Sequence, residues 1–200
     1  MNKDFFAHKA DSYEKNRSRV ANVENIANAI LDKVKLNKAM VLMDFGSGTG
    51  LLLEKIAPTV KKITAVDISA SMNRQLAEKR ELIECELEIL ELDLTKSTLD
   101  QQFDGIISSM TMHHVQNIDA MFVRLYSLLR SGGIIAIADL DLEDGSFHTE
   151  DTGVFHSGFD RQAFIESAAK AGFKNLVTST ASTVHKEQGD YTVFLLTGEK

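Results

Sequence analysis

Residues 40–50 read Met-Val-Leu-Met-Asp-Phe-Gly-Ser-Gly-Thr-Gly, and Leu-Leu-Leu-Glu-Lys-Ile-Ala follows at once. An apolar run of β type ends in a carboxylate, Asp44. Glycines at 46, 48 and 50 come next, and a helical pattern opens at Leu51. Alternate glycines let a backbone turn sharply and approach a ligand closely. Amides at the start of the following helix favour an anionic group. Strand, acid, glycine loop and helix describe a nucleoside-cofactor site. Asp44 narrows the choice, because a carboxylate beside the loop repels a pyrophosphate and attracts an ammonium or a sulfonium.

Outward from this stretch, helical and strand patterns alternate, which predicts a parallel sheet covered on both faces. A helix is expected over 11–36, where Val20, Val23, Ile26, Ala27, Ile30, Leu31 and Val34 recur at helical spacing. Strands are expected at 40–43, 62–66, 86–90, 103–108 and 134–138. Helices are expected at 51–57, 70–82 (capped by Ser69), 117–129 and 161–171 (capped by Asp160, closed by Gly172). Leu129-Arg-Ser-Gly-Gly reads as a turn, and 174–183 with 191–196 as a closing antiparallel hairpin. Residues 139–159 show little periodicity and are long for a connection, which marks a functional or mobile loop.

Two hundred residues with a 44% hydrophobic share suit one α/β domain spanning 1–200. Twenty-nine acidic against 22 basic residues give a formal charge of −7. With no basic block, nucleic acid is disfavoured as a partner. Cys85 is the one cysteine, so no internal disulfide forms, and its apolar surroundings make it a packing residue. No long apolar stretch opens the chain and no 18-residue apolar run exists, so neither a signal peptide nor a membrane span is expected, and the cytoplasm is the expected location.

In open α/β sheets ligands bind beyond the carboxyl ends of the strands. Asp44, Asp67, Asp93, Ser109 and Asp139 each follow an apolar strand, so all five face one crevice. Asp67 comes 21 residues after Gly46, a spacing that suits a carboxylate accepting from ribose hydroxyls. Asp93 is placed to accept from an adenine amino group. A cationic nucleoside cofactor with these partners is S-adenosylmethionine, which implies methyl transfer with S-adenosylhomocysteine as product.

The ordered set Val-Leu-Met-Asp-Phe-Gly-Ser-Gly-Thr-Gly, Ile-Thr-Ala-Val-Asp67-Ile-Ser, Leu-Asp93-Leu, Phe-Asp104-Gly-Ile-Ile-Ser-Ser-Met and Leu-Leu-Arg-Ser-Gly-Gly-Ile-Ile-Ala-Ile resembles the class I S-adenosylmethionine-dependent methyltransferases over about residues 38–140. The resemblance implies a Rossmann-like three-layer α/β sandwich. Its seven-stranded, mostly parallel sheet would have the order 3-2-1-4-5-7-6 with strand 7 antiparallel. It implies that Asp44, Phe45, Gly46, Ser47, Gly48 and Gly50 surround the methionine part. Asp67 would hold ribose, and Asp93 with the Leu94 backbone would hold adenine. Ile68 and Met72 would flank the adenosine, and Ser109 would approach the methionine amino group. Residues 1–37 resemble the helical lid of small-molecule members, with Phe5, Ala10 and above all Tyr13 closing over the cofactor. Ser47 stands where many relatives carry cysteine or another small residue, and it fits sterically.

Met110-Thr-Met-His113-His114-Val follows the fourth strand, where the resemblance places the acceptor. An imidazole there can take a proton near neutral pH, so His113 and His114 are the candidate bases. The Asn-Pro-Pro-Tyr type of sequence that marks many DNA and protein amide-nitrogen methylases is absent, which favours a small-molecule acceptor. The 139–159 loop mixes apolar faces with titratable groups, and Asp139, Phe147, His148, Phe155 and His156 are its candidate substrate contacts. Glycines 145, 153 and 158 would let it act as a lid. No metal site is expected, because His113, His114, His148, His156, Asp139 and Asp141 lack compact ligand spacing. Two rival readings stand beside methyl transfer. One is a non-catalytic protein that binds the same cofactor. The other is a nicotinamide-dependent oxidoreductase, disfavoured by the third glycine at 50, by Leu51 and by Asp44. The acceptor atom and the oligomeric state stay open.

Overall fold

The computed structural model describes residues 10–150 and 152–200. Among them seven strands form one sheet: β1 Val41–Phe45, β2 Lys62–Asp67, β3 Glu86–Glu91, β4 Phe103–Ser109, β5 Leu129–Leu140, β6 Lys174–Lys186 and β7 Gly189–Glu199. Their order is β3-β2-β1-β4-β5-β7-β6. The β1–β2, β1–β4, β2–β3 and β4–β5 pairs are parallel, while β7 runs antiparallel to both β5 and β6. This is the expected Rossmann-like, mostly parallel sheet. Helices α1 Arg17–Lys33, α2 Leu51–Ile56, α3 Ala70–Glu78, α4 Ile118–Leu128 and α5 Arg161–Ala171 cover its faces.

Strand periodicity divides the core into two layers, since successive side chains point to opposite faces. Leu42, Ile107, Ala136, Ala138, Val193 and Leu195 face one way and meet Ile26, Ile30, Leu53, Ile56 and Leu76 of α1, α2 and α3. Their neighbours Met43, Ile106, Ile135, Ile137, Phe194 and Leu196 face the other way, onto Phe122, Leu125 and Phe164 of α4 and α5. On that side Phe122 and Phe164 meet edge to face at 5.0 Å between ring centroids. A fully buried phenylalanine of this kind contributes about 3–5 kcal/mol against truncation to alanine.

The caps follow the sequence. Ser69, Asn117 and Asp160 each accept a hydrogen bond from the amide three residues on, and Gly172 closes α5. Three expectations are corrected. The helix predicted over 11–36 is interrupted: a 3₁₀ turn covers Ala10–Lys15, and α1 starts anew at Arg17, because the Asn16 side chain caps it by accepting from the Arg19 amide at 3.0 Å. Leu129–Gly133 is no separate turn but the start of β5, whose pairing with β4 shifts register between Phe103 and Gly105. The closing hairpin is longer than predicted at both ends, since pairing continues through Val184↔Tyr191 to Lys186↔Gly189 and both Val184 and Tyr191 are buried. Among the described residues, no helix is long and apolar enough to cross a membrane.

Candidate functional site

The carboxyl ends of β1, β2 and β4 meet at the glycine loop. The Gly46 amide donates to the Val66 carbonyl at 2.8 Å, and the Ser108 hydroxyl donates to the Phe45 carbonyl at 2.6 Å, so the loop is pinned to both flanking strands. Gly46 has φ +73°, and a Cβ there would lie 2.2 Å from the Thr111 side chain. Only glycine permits this approach between the loop and the segment after β4.

Asp44 lies under this loop, 1% exposed, and neither of its carboxylate oxygens has a hydrogen-bond partner among the described residues. Burial, and then the charge of Asp67, push its pKa up to about 8. A buried carboxyl without partners carries a cost of several kcal/mol if ionised. It gains most from a cation. The buried hydroxyls of Ser47, Thr49 and Ser109 also lack partners within the described residues. A group that carries an ammonium and further polar atoms therefore fits this cradle.

Asp67 accepts from the Gly48 amide and from the Ser69 amide, both at 2.8 Å. It thus braces the loop it was predicted to serve. Beside it Ile68 is exposed and Met72 is buried, an apolar edge for a flat ring. Tyr13 comes down next to Asp67: burial, the largest cause, and the Asp67 charge both raise its phenol pKa, against the lowering effect of Arg19. The Arg19 guanidinium lies 3.9 Å from the centre of the Tyr13 ring and donates to the Tyr13 carbonyl at 2.7 Å. Glu14 pairs with Lys79 at 2.5 Å, which ties the 3₁₀ turn to the end of α3. Phe5 lies outside the described residues. Asp93 sits beyond β3, but its carboxylate accepts from the Thr95 amide and hydroxyl and from Lys96, within its own turn. Leu94 is buried among Phe45, Val66 and their neighbours.

The acceptor side is built around histidines. The 3₁₀ turn Met112–His114 follows β4, after Met110 at φ +57°, a conformation unusual for a non-glycine residue. His113 is buried, and its Nδ1 lies 2.7 Å from Asp139 Oδ1. Asp139, also buried, further accepts from the His113 amide at 3.2 Å and from the Leu140 amide at 2.8 Å. Its carboxylate is thus engaged by His113 and the backbone rather than turned to open space. With the Asp139 carboxylate as acceptor, Nδ1 is the donor in this bond. His114 and His148 close the cluster, with ring centroids 4.3 Å and 5.1 Å from His113. Burial, the largest cause, lowers both pKa values to about 4, so these imidazoles are neutral at pH 7. His148 Nε2 is buried without a partner among the described residues.

Phe147 packs edge-on against His148 at 4.9 Å and Tyr191 at 5.2 Å. The loop folds back on itself through Leu142–Phe159 and Glu143–Ser157 backbone bonds. It forms an open-sided cavity of about 250 Å³ lined by Glu143, Gly145, His148, Glu150, Thr152, Val154 and Ser157. Two predicted contacts stand apart. His156 Nε2 lies 3.0 Å from the Val115 carbonyl while its ring packs on Phe159, and the Phe155 side chain is exposed. No group of three metal-ligating side chains occurs among the described residues. Thr111, Arg19, Lys186 and Tyr191 were not foreseen. Thr111 adjoins the histidine pair in sequence and could have been suspected, but the other three reach the site only through α1 packing on β6 and through the hairpin.

The chain is similar to known methyltransferases in sequence and fold. A family model described as a methyltransferase domain matches residues 43–137. An uncharacterized methyltransferase of Schizosaccharomyces pombe is 26% identical over 200 residues, covering 92% of this chain and 68% of that protein. A chain of the complex between the Trm112 methyltransferase activator of Haloferax volcanii and its partner superposes with a TM-score of 0.80 at 14% identity, over 100% of this chain and 99% of that one. Phosphoethanolamine N-methyltransferase 2 of Haemonchus contortus, in complex with S-adenosyl-L-methionine, gives 0.70 at 14% identity, over 98% and 60%.

Proposed function

We propose that this chain is a class I S-adenosylmethionine-dependent methyltransferase that methylates a small-molecule acceptor, with His113 as the group that takes the acceptor proton. The carrying observation for the cofactor is Asp44, a buried carboxyl with no partner among the described residues, next to a glycine loop. When bound, S-adenosylmethionine supplies a methyl group on an electrophilic sulfonium. Asp44 accepts from the ammonium of the methionine part, and Ser109 lies at the next strand end. Asp67 accepts from the ribose hydroxyls while keeping its bonds to Gly48 and Ser69. Ile68 and Met72 flank the base, and Tyr13 covers the ribose side. Asp93 with the Leu94 backbone holds the adenine edge.

Displacement at a methyl group needs nucleophile, carbon and leaving atom in line, and positioning with exclusion of water supplies much of the rate. The loop cavity of about 250 Å³, open to solvent on one side, and the histidine cluster beside it suit an acceptor of metabolite size. Asp139 fixes the His113 tautomer so that Nε2 carries the lone pair. A proton from a hydroxyl or amine acceptor passes to that atom as the new bond forms. His148 and Phe147 line the acceptor side. The test is formation of S-adenosylhomocysteine from S-adenosylmethionine with a panel of phenols, amines, thiols and carboxylic acids. Turnover on at least one class is expected, with kcat lowered 10²–10⁴-fold in His113→Gln for a hydroxyl or amine acceptor. Turnover confined to protein or nucleic-acid substrates would contradict the small-acceptor reading.

A further inference from the structure

Two cations stand at the edge of the acceptor site without a carboxylate partner among the described residues. Arg19, on α1, stacks on Tyr13 and spends one N–H on a backbone carbonyl. Lys186, at the end of β6, lies 3.7 Å from the centre of the Phe147 ring and donates to the Phe147 carbonyl. Aromatic faces and carbonyls hold a cation in place and leave its charge in force. Helix α1 is fastened to β6 by the Asn25 amide donating to the Ser182 hydroxyl at 3.2 Å. From that bond the helix runs back six residues to Arg19, about 9 Å. The strand runs on four residues to Lys186, about 13 Å. Strand β6 runs the same way as β5 and so ends at the carboxyl side of the sheet, where Tyr13 lies by Asp67, and the two side chains approach the same rim. Burial first, and then the Arg19 charge, lower the Lys186 pKa, while Glu143 acts against this. Glu143 Oε2 already accepts from the Gly145 and Phe147 amides, at 2.9 Å and 3.0 Å. Two like charges held together cost energy in a chain whose net charge is −7, and an anion between them removes that cost.

We infer that Arg19 and Lys186 form an anion subsite for the acceptor, which makes the acceptor of this enzyme a carboxylate- or phosphate-bearing molecule. The inference rests on the methyltransferase reading above and deepens it. The order of contacts sets the geometry. Lys186 touches Phe147, Phe147 touches His148, and His148 lies 5.1 Å from His113. The anion is thus held one ring beyond the histidines, with the nucleophilic end of the acceptor directed toward His113. Recognition by two cations costs the acceptor little reorganisation and discriminates against neutral analogues by leaving the cations unpaired.

The test uses glutarate and inorganic phosphate, with neutral glutaramide as control, titrated into the protein with and without saturating S-adenosylhomocysteine. The Phe147 and His148 ring resonances are followed by NMR. Glutarate or phosphate should shift them with at least tenfold higher affinity than glutaramide. Arg19→Gln/Lys186→Gln should abolish the response, and Lys186→Arg should retain most of it. A preference for glutarate over phosphate points to a carboxylate acceptor, and the reverse to a phosphate. Equal shifts from glutaramide, or an unchanged response in the double variant, would overturn the inference. So would a tenfold loss of S-adenosylhomocysteine affinity in Lys186→Gln alone, because the cations would then serve the cofactor carboxylate. The arm without cofactor reads the anion site by itself, so a failure of S-adenosylhomocysteine to bind would strike the cofactor reading separately.

Discussion

Cofactor binding should release a proton from Asp44. In the free protein burial and the Asp67 charge hold its pKa at about 8, against 3.8 for an ordinary aspartate. At pH 7 such a carboxyl is about nine-tenths protonated. An ammonium placed against it returns it to the ionised state, so about 0.9 proton leaves per cofactor bound. The pH sense follows from the same shift. The folded free protein holds an extra proton between pH 3.8 and about 8. This group's contribution to stability is therefore full below the lower value and lost as pH rises toward the upper one. The shift corresponds to a cost on the order of 5 kcal/mol for the ionised, unpartnered carboxylate. Isothermal titration with S-adenosylhomocysteine at pH 7, in buffers of small and large ionisation enthalpy, reads the released proton as a slope. Asp44→Asn should flatten that slope and weaken binding by about 1.5–3 kcal/mol, roughly 10–150-fold. A binding enthalpy independent of buffer in the unsubstituted protein, or the same proton release in Asp44→Asn, would refute the reasoning.

Three further outcomes follow from the geometry. Gly50 has φ +90°, and a Cβ there would lie 2.5 Å from Leu53 and Leu76 side-chain carbons. Gly50→Ala should cost about 2–4 kcal/mol and lower the thermal midpoint by roughly 5–15 °C, whereas an unchanged midpoint would show the loop to be more pliant. Asp139→Ala strips the buried His113 ring and two amides of their acceptor and should cost about 3–5 kcal/mol in urea unfolding. A loss below 1 kcal/mol would mean that the pair is not closed in solution. His114 is held down to about 4 from 6.5 chiefly by burial. Its contribution to stability is complete above pH 6.5 and fades as pH falls toward 4, a loss of about 3 kcal/mol. Asp44 runs in the opposite sense, so the readout is a difference. The urea midpoint of His114→Gln should fall less between pH 7 and 4.5 than that of the unsubstituted protein, and equal losses would remove His114 as the cause.

The sheet was legible because parallel strands buried on both faces read as short apolar runs, as in Val41–Phe45 and Ile134–Ala138. The glycine loop was legible because close backbone approach restricts residue type, and the strand-end aspartates because each follows an apolar run. The break at Asn16 was hidden, since the apolar spacing from Val20 to Val34 extends no signal backward to mark where the helix begins. The start of β5 was misread because Arg130-Ser-Gly-Gly has turn composition, while its strand pairing depends on Phe103 across the sheet. The role of Asp139 as partner to His113, and the approach of Arg19 to Lys186, were beyond a linear reading. Each joins residues far apart in sequence through tertiary packing.

The most direct measurement is calorimetric titration of S-adenosylhomocysteine into the unsubstituted protein and into Asp67→Ala. The account predicts one site per chain with an affinity in the micromolar range or tighter, weakened roughly 10–100-fold by Asp67→Ala through the loss of about 1.5–3 kcal/mol of charged hydrogen bonding to ribose. No heat from the folded protein at high micromolar ligand, or the same affinity in Asp67→Ala, would contradict it.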